Sequence, residues 1–267
     1  MAIQIEKVDT GRLTMDFFRF GTGRETFIIL PGLSVKSVMG SADAVAAQYA
    51  LLAERFTVYV FDRRSDLPES YSIYDMAEDT AEAITALGLK DVCIFGASQG
   101  GMIAQVIAAE HPELVKKLIL GSSACHVDIE KGSVIDNWIE MAKVGDRLGL
   151  YLDFGQKLYP KDFYEQYRDV LVSIAETVTD DELSRFITIA EGTDGFDVRE
   201  KLAGVRCPVL ILGAADDAVL GPYAAEEIKE CLKDDPDTEI YSYDGYGHVA
   251  FDTAPDYTER LFEFLTK

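Results

Sequence analysis

Basic residues are scarce in this chain of 267 residues. It contains 25 lysines and arginines against 47 aspartates and glutamates, which gives a formal net charge of −22. A polyanion is repelled by nucleic acid and by anionic membrane surfaces, so we expect neither as a partner. Because the acids are spread along the chain, we interpret them as a solvated surface and not as a site for a cationic substrate.

Long hydrophobic runs are absent as well. No stretch approaches the roughly 20 apolar residues that span a bilayer, so we expect no membrane insertion. The opening MAIQIEKVDTGRLTMDFF has no basic head, apolar run and small-residue cleavage site in succession, which predicts no signal peptide. We therefore expect a cytoplasmic protein, and the sequence leaves its oligomeric state open between a monomer and a homodimer.

Cysteine is also rare. The four cysteines are far apart in the sequence and show no CxxC spacing: Cys93, Cys125, Cys207 and Cys231. In a cytoplasmic protein such cysteines are expected to be reduced thiols. The sequence therefore predicts no zinc site and no metal or organic cofactor.

What is present is an alternation of strands and amphipathic helices. Five continuous apolar runs are typical of strands buried on both faces, as in a parallel sheet covered by helices. Two strands precede them and a more polar one follows, so the strand-like segments are 3–8, 13–20, 26–30, 57–62, 91–96, 116–121, 208–213 and 238–244. This alternation predicts a doubly wound α/β sheet.

One interval breaks the alternation. Between about Cys125 and Arg206 the sequence contains helical segments and no run typical of a buried strand. We interpret residues 125–206 as an all-helical insertion after the strand that ends near Gly121. Residues 1–124 and 207–267 then form the core domain, and no flexible linker separates the two parts.

The stretch FGASQGGM, residues 95–102, stands between a strand and a helix. Its glycines supply no side chain for a core, but they permit a tight turn that exposes one hydroxyl. The pattern Gly-x-Ser-x-Gly in a strand–turn–helix context is typical of a nucleophile elbow, with the positions two before and two after the serine nearly touching. We therefore predict that Ser98 is a nucleophile.

A serine hydroxyl needs a base, and the chain has only three histidines. His111 ends the helix after the elbow and is expected to face away from the site. His126 follows the next strand and could line a pocket. His248 follows the last strand and precedes the last helix, where loops at the carboxyl ends of parallel strands converge. We therefore predict His248 as the base.

The third catalytic group should be a carboxylate that orients the imidazole. Asp216 and Asp217 both follow the strand at residues 208–213, which gives the chain order Ser, Asp, His. Of these two we prefer Asp216.

Backbone N–H groups should bind the developing oxyanion. The expected donors are Gln99, directly after the nucleophile, and Leu33, in the loop Pro31-Gly32-Leu33-Ser34, although a plain Pro-Gly turn would also give this sequence.

These motifs resemble the capped serine hydrolases of the α/β-hydrolase fold superfamily, in its esterase/lipase-like group. IILPGL, VYVFDRR, the elbow segment, PVLILGAADD and GYGHVAFDTAPDYTERLFEFL follow one another in family order. The resemblance implies an eight-stranded, mostly parallel sheet whose first pairs are antiparallel, and a helical cap inserted after strand six. It also implies an acid in a G-x-x-D run, which Gly213–Asp216 fits.

Two features depart from the family pattern. Pro31-Gly32 stands where many members have His-Gly, and DRRSDLPES lacks the usual RG-x-G-x-S turn. The oxyanion donors are main-chain groups, so the first departure leaves their function intact. The second changes the expected shape of one pocket wall and not the triad.

We therefore expect acyl transfer from a small or medium uncharged, partly apolar ester to water. The same triad would also serve a carbon–carbon bond hydrolase, a thioesterase, a lactonase or an acyltransferase. A non-catalytic ligand-binding protein on this fold is the alternative from a different class. The residues considered as pocket lining are His126, Trp138, Tyr151, Phe154 and Tyr159.

Overall fold

The computed structural model describes residues 3–232 and 237–267. Eight of its strands form one sheet and two very short ones form a separate ribbon. In chain order the strands are β1 (Ile5–Asp9), β2 (Thr14–Phe20), β3 (Glu25–Leu30), β4 (Phe56–Arg64), β5 (Val92–Ala97), β6 (Val115–Gly121), β7 (His126–Val127), β8 (Phe196–Asp197), β9 (Val209–Ala214) and β10 (Thr238–Tyr243).

The large sheet has the order β1-β2-β4-β3-β5-β6-β9-β10. β2 pairs antiparallel with both β1 and β4, and every other neighbouring pair is parallel. The predicted eight-stranded, mostly parallel sheet is thus confirmed. The strand order reverses between β3 and β5, and ligands of open α/β sheets bind outside the carboxyl ends of the strands at such a switch point.

Helices cover both faces of the sheet. Side chains of β3 alternate between the two hydrophobic cores, with Phe27 in one and Ile28 in the other, as a strand covered on both sides requires. The helices are α1 (Ala42–Gln48), α2 (Ile73–Ala86), α3 (Gln99–Glu110), α4 (Val134–Lys143), α5 (Arg147–Leu158), α6 (Lys161–Ala175), α7 (Asp180–Glu191), α8 (Arg199–Leu202), α9 (Ala224–Leu232), α10 (Ala250–Thr253) and α11 (Tyr257–Thr266). None of those described is long and apolar enough to cross a membrane.

The segment between β6 and β9 contains the expected cap helices α4, α5, α6 and α7. It is not all-helical, however, because β7 and β8 pair antiparallel where the chain leaves the sheet and where it returns. Strands of two residues carry no periodic signal, so the sequence could not predict them. α8 contacts the core helices α3 and α9. The domain boundaries at residues 125 and 206 stay predictions.

The turn from β5 into α3 brings backbone segments into close contact. A Cβ atom on Gly96 would overlap the Gly100 backbone, and one on Gly100 would overlap the carbonyl group of Leu30. The predicted approach of the positions on either side of Ser98 is therefore present. The start of α3 also lies directly against the end of β3, which leaves no room for a side chain.

We expect Gly100→Ala to lower the free energy of unfolding by at least about 1–3 kcal/mol, because α3 must shift away from β3 to admit the methyl group. Urea unfolding followed by circular dichroism measures this loss. The control is Gly40→Ala, since a Cβ at that exposed position meets no atom within 4 Å. Equal stability of the two variants would contradict the close approach.

Candidate active site

Ser98 lies between β5 and α3 with φ 51° and ψ −119°, a conformation that residues other than glycine rarely adopt. The end of β6 and the residues after it hold this strained turn. The Ser98 N–H donates to the Gly121 carbonyl over 2.8 Å, and the Ser123 hydroxyl donates to the Ser98 carbonyl over 2.9 Å. Backbone strain of this kind is typical of functional sites.

His248 lies in the loop between β10 and α10, as the sequence predicted. Its Nε2 is 2.9 Å from Ser98 Oγ, and the imidazole is almost completely buried. The other two histidines are elsewhere, since His111 contacts Glu78 with 2.9 Å between Nε2 and Oε2, and His126 lines a neighbouring cavity. The structure therefore brings together the serine and histidine that the sequence pairs.

Asp217, and not Asp216, is the carboxylate at His248. Asp217 Oδ2 lies 2.7 Å from His248 Nδ1, and Asp217 is buried whereas Asp216 is exposed. Asp216 instead accepts a hydrogen bond from the Gly247 N–H over 3.0 Å. The prediction of Asp216 was wrong because consecutive side chains in this turn project in different directions, and residue spacing alone does not indicate which one points inward.

The turn after β9 fixes the Asp217 carboxylate. Its Oδ1 accepts hydrogen bonds from the N–H groups of Val219 at 2.8 Å and Leu220 at 3.0 Å. An Asp whose side chain bonds the backbone two and three residues later forms a recognisable turn, but Asp216 and Asp217 are the same residue type at adjacent positions, so the sequence holds no signal that favours Asp217. The carboxylate is thereby held in one orientation toward the imidazole.

The pKa of Asp217 reflects opposing effects. Burial alone would raise it, but the adjacent His248 and the hydrogen bonds from His248, Leu220 and Val219 outweigh burial and lower the pKa below its ordinary value. Asp217 is therefore ionised at neutral pH. An ionised carboxylate at Nδ1 holds the proton on that nitrogen and leaves Nε2 available as the base toward Ser98.

Leu33 and Gln99 both line the cavity at Ser98. Gln99 is the first residue of α3, so its N–H belongs to the turn whose donors have no partner within the helix. Gly32 lies so close to Ser98 that a Cβ on it would be 3.2 Å from Ser98 Cβ. The loop after β3 and the start of α3 are thus on either side of the hydroxyl, and the assignment of their N–H groups as oxyanion donors stays a prediction.

Arg63 is a buried residue of the site that the sequence reasoning missed. Its Nη2 donates to the Pro31 carbonyl and to Gln99 Oε1, each over 2.9 Å. The Gln99 amide in turn donates to the Ile189 carbonyl at 2.9 Å and to Thr193 Oγ1 at 2.8 Å. Burial lowers the pKa of Arg63 to about 10, so the guanidinium stays charged at neutral pH. This network connects the loop after β3, the start of α3 and the cap.

The cavity at Ser98 is small, about 60 Å³, and mostly apolar. Its described lining contains no lysine, arginine, aspartate or glutamate: Gly32, Leu33, Ser98, Gln99, Met102, Ile135, Trp138, Phe154, Leu158, Thr193, Val219, Leu220, His248, Val249 and Phe251. A group of metal-ligating side chains, Cys125, His126 and Glu227, lies outside this cavity.

Of the five residues considered as pocket lining, Trp138 and Phe154 line the cavity. Their rings stack with centroids 4.0 Å apart, and Trp138 Nε1 donates to Asp153 over 2.7 Å. Tyr151, Tyr159 and His126 are not among the lining residues, which corrects the expectation for these three. Tyr159 stacks on Phe163 at 4.8 Å instead, because it follows α5 and its ring packs against α6.

Comparison with known proteins gives a consistent result. Residues 27–261 match the family described as "Alpha/beta hydrolase family". Serine hydrolase BPHL of Mus musculus is 25% identical over 243 residues, covering 87% of this chain and 77% of the relative. The putative carbamate hydrolase RutD of Agrobacterium fabrum is 26% identical over 249 residues, covering 88% of this chain and 93% of the relative.

Two solved structures share the fold over nearly the whole chain. The alpha/beta hydrolase MGS-M2 from a deep-sea metagenome library superposes with a TM-score of 0.85 at 22% identity, covering 99% of this chain and 98% of its own. The enol-lactonase from Burkholderia xenovorans LB400 gives 0.83 at 19% identity, covering 98% of this chain and 100% of its own.

We expect Asp217→Asn to lower kcat for nitrophenyl acetate by about 10⁴-fold, because the amide no longer holds the imidazole in the required tautomer. Asp216→Asn is the matched control and should stay within about tenfold of the wild type, since Asp216 is exposed and accepts its hydrogen bond from the backbone N–H of Gly247 and not from the imidazole. Steady-state kinetics of both variants decide between the two carboxylates. A larger loss in Asp216→Asn would restore Asp216 as the acid.

Proposed function

Because the chain belongs to the alpha/beta hydrolase family, we propose that this hydrolase is a serine esterase acting through a Ser98-His248-Asp217 triad. Its substrate is a small or medium uncharged, partly apolar ester. The observation that carries the proposal is the unbroken hydrogen-bond chain from Ser98 Oγ through the His248 imidazole to the buried Asp217 carboxylate. The hydrogen-bond chain ends at the Ser98 hydroxyl, which opens into the apolar cavity.

The proposed reaction proceeds in two acyl-transfer steps. Ser98 Oγ attacks the ester carbonyl while His248 Nε2 takes its proton, and the resulting oxyanion accepts hydrogen bonds from the N–H groups of Leu33 and Gln99. His248 then gives that proton to the leaving alcohol, which departs and leaves an acyl-enzyme. Water deprotonated by His248 attacks the acyl group, and the proton returns to Ser98 as the acid is released.

The lining of the cavity supports an uncharged substrate. Its side chains are predominantly apolar and aromatic, and among the lining residues that the structure describes the polar side chains are those of Ser98, Gln99, Thr193 and His248. A charged group in such a cavity would lose its hydration without gaining an ionic partner. The small volume supports a short acyl chain.

Other acyl acceptors and bonds are compatible with the same triad. Relatives named as putative carbamate hydrolase and a structural neighbour named as enol-lactonase make carbamates and lactones informative test substrates. Carbon–carbon bond hydrolysis, thioester hydrolysis, acyl transfer and non-catalytic ligand binding are the remaining alternatives. The cytoplasmic location and the choice between a monomer and a homodimer stay predictions.

We expect a fluorophosphonate probe to form a single adduct on Ser98, located by peptide mass spectrometry. Nitrophenyl esters of increasing chain length should be hydrolysed with an optimum among the short acyl chains, and Ser98→Ala should lose both labelling and turnover. A thioester, a lactone and a carbamate tested alongside identify the preferred bond. Absence of both adduct and turnover in the folded wild type would favour the ligand-binding alternative.

We expect Phe154→Ala to move the optimum of kcat/KM toward longer acyl chains, because it removes an aromatic wall of a small cavity. Tyr159→Ala is the matched control, since Tyr159 belongs to the same cap but stacks outside the cavity. Its chain-length profile should resemble that of the wild type. The same shift in both variants would indicate a general loosening of the cap and would contradict the assigned lining.

A further inference from the structure

Two segments outside the catalytic cavity bring metal-ligating side chains together. Cys125 and His126 lie where the chain leaves β6 and enters β7, at the base of the cap. Glu227 and Cys231 lie four residues apart on α9, so they are on the same face of that helix. Each of the two segments thus contributes two neighbouring side chains whose N, O or S atoms can act as metal ligands.

The donor atoms are close together. The ligand atoms of Cys125, His126 and Glu227 all lie within 4.8 Å of one another, and His126 Nδ1 is 3.6 Å from Glu227 Oε2. His126 Nδ1 is itself inaccessible to solvent and has no hydrogen-bond partner. A buried ring nitrogen without a partner is costly, and a metal ion is one way to satisfy it.

The fourth donor is the Cys231 thiol, which interacts with the Cys125 thiol. Burial, together with the adjacent Cys231 and Glu227, raises the pKa of the Cys125 thiol to about 12. In the absence of a cation the Cys125 thiol is therefore protonated at neutral pH. The Arg199 guanidinium lies near both sulfur atoms and partly compensates the negative charge that two thiolates and Glu227 would add.

We propose that Cys125, His126, Glu227 and Cys231 form a tetrahedral binding site for a thiophilic divalent cation, with Zn²⁺ as the expected occupant. Two sulfurs, an imidazole nitrogen and a carboxylate oxygen are donors that Zn²⁺ accepts in protein sites. The ion would be bound by the two sulfurs as thiolates and by the neutral imidazole, with Nδ1 toward the ion.

The site requires only a small contraction. Zinc–ligand distances of about 2.0–2.3 Å place tetrahedral donors roughly 3.3–3.8 Å apart, so the ligand atoms of Cys125, His126 and Glu227, which lie within 4.8 Å of one another, close by no more than about 1.5 Å. Glu227 is half-exposed and Cys231 partly exposed, which leaves both free to rotate inward from α9. The ion would then tie α9 of the core to the first segment of the cap.

The sequence predicted no zinc site because no CxxC pair is present. The two cysteines of this site are 106 positions apart (231 minus 125), and only the packing of α9 beside β7 makes them neighbours. The proposal does not rest on Ser98 as a nucleophile, and its test does not use ester hydrolysis.

Cobalt titration of the full-length protein under reducing conditions tests the site. We expect the wild type to bind one equivalent of Co²⁺ with the visible bands of tetrahedral cobalt and a thiolate-to-metal charge-transfer band. Added Zn²⁺ should abolish both signals by displacement. Because loss of an outer-shell partner already costs about 10–100-fold in affinity, loss of a direct ligand in Cys231→Ser or Glu227→Gln should cost at least as much.

The matched control is His111→Gln. His111 also lies beside carboxylates, with Glu78 at 2.9 Å and Glu113 at 3.8 Å, but no thiol is part of that group, so its loss should leave the cobalt spectrum unchanged. Circular dichroism verifies that the variants are folded, and the partly exposed Cys231 and Glu227 are preferred over buried Cys125 for this reason. A wild type that binds no cobalt, cobalt binding without the thiolate band, or an unchanged spectrum in Cys231→Ser or Glu227→Gln would overturn the proposal.

Discussion

The close approach of α3 to the end of β3 determines where the groups of the candidate site lie. Gly100 meets the Leu30 carbonyl at the point where the strand order reverses, so the loop after β3 and the turn after β5 share one crevice. Ser98 is forced to positive φ by that turn, at a cost of order 1–3 kcal/mol. The buried residues of β5, the hydrogen bond from the Ser98 N–H to the Gly121 carbonyl and the one from the Ser123 hydroxyl to the Ser98 carbonyl offset this cost.

The close contact between α3 and the end of β3 also couples the cap to the catalytic residues. Gln99 begins α3, and its side chain receives a hydrogen bond from Arg63 and donates to the cap residues Ile189 and Thr193. Arg185 and Lys36 add ion pairs between cap and core, but partly exposed pairs contribute little to stability. The Gln99 hydrogen bonds to Ile189 and Thr193 are buried, so loss of either partner leaves a buried polar group unpaired and costs more than loss of an exposed ion pair.

The sequence could predict most of the sheet because its strands are continuous apolar runs, and it could predict Ser98 and His248 because chain topology brings loops at the carboxyl ends of strands together. It could not choose between Asp216 and Asp217, since adjacent residues in a turn differ in direction and not in composition. The same limit applies to the cap: Phe154 and Tyr159 are both aromatic residues of one helical region, and only tertiary packing decides which ring faces the cavity. The β7–β8 ribbon and the cluster around Cys125 arise from contacts between residues that are distant in the sequence. No local sequence pattern predicts such contacts.

One short segment connects the catalytic carboxylate with the second cluster of polar side chains. The N–H groups of Val219 and Leu220 hold Asp217, while both residues line the catalytic cavity on one side and the polar cavity that contains His126 and Glu227 on the other. Because Asp217 Oδ2 contacts His248 Nδ1, this segment links the lining of both cavities to the carboxylate that orients the imidazole.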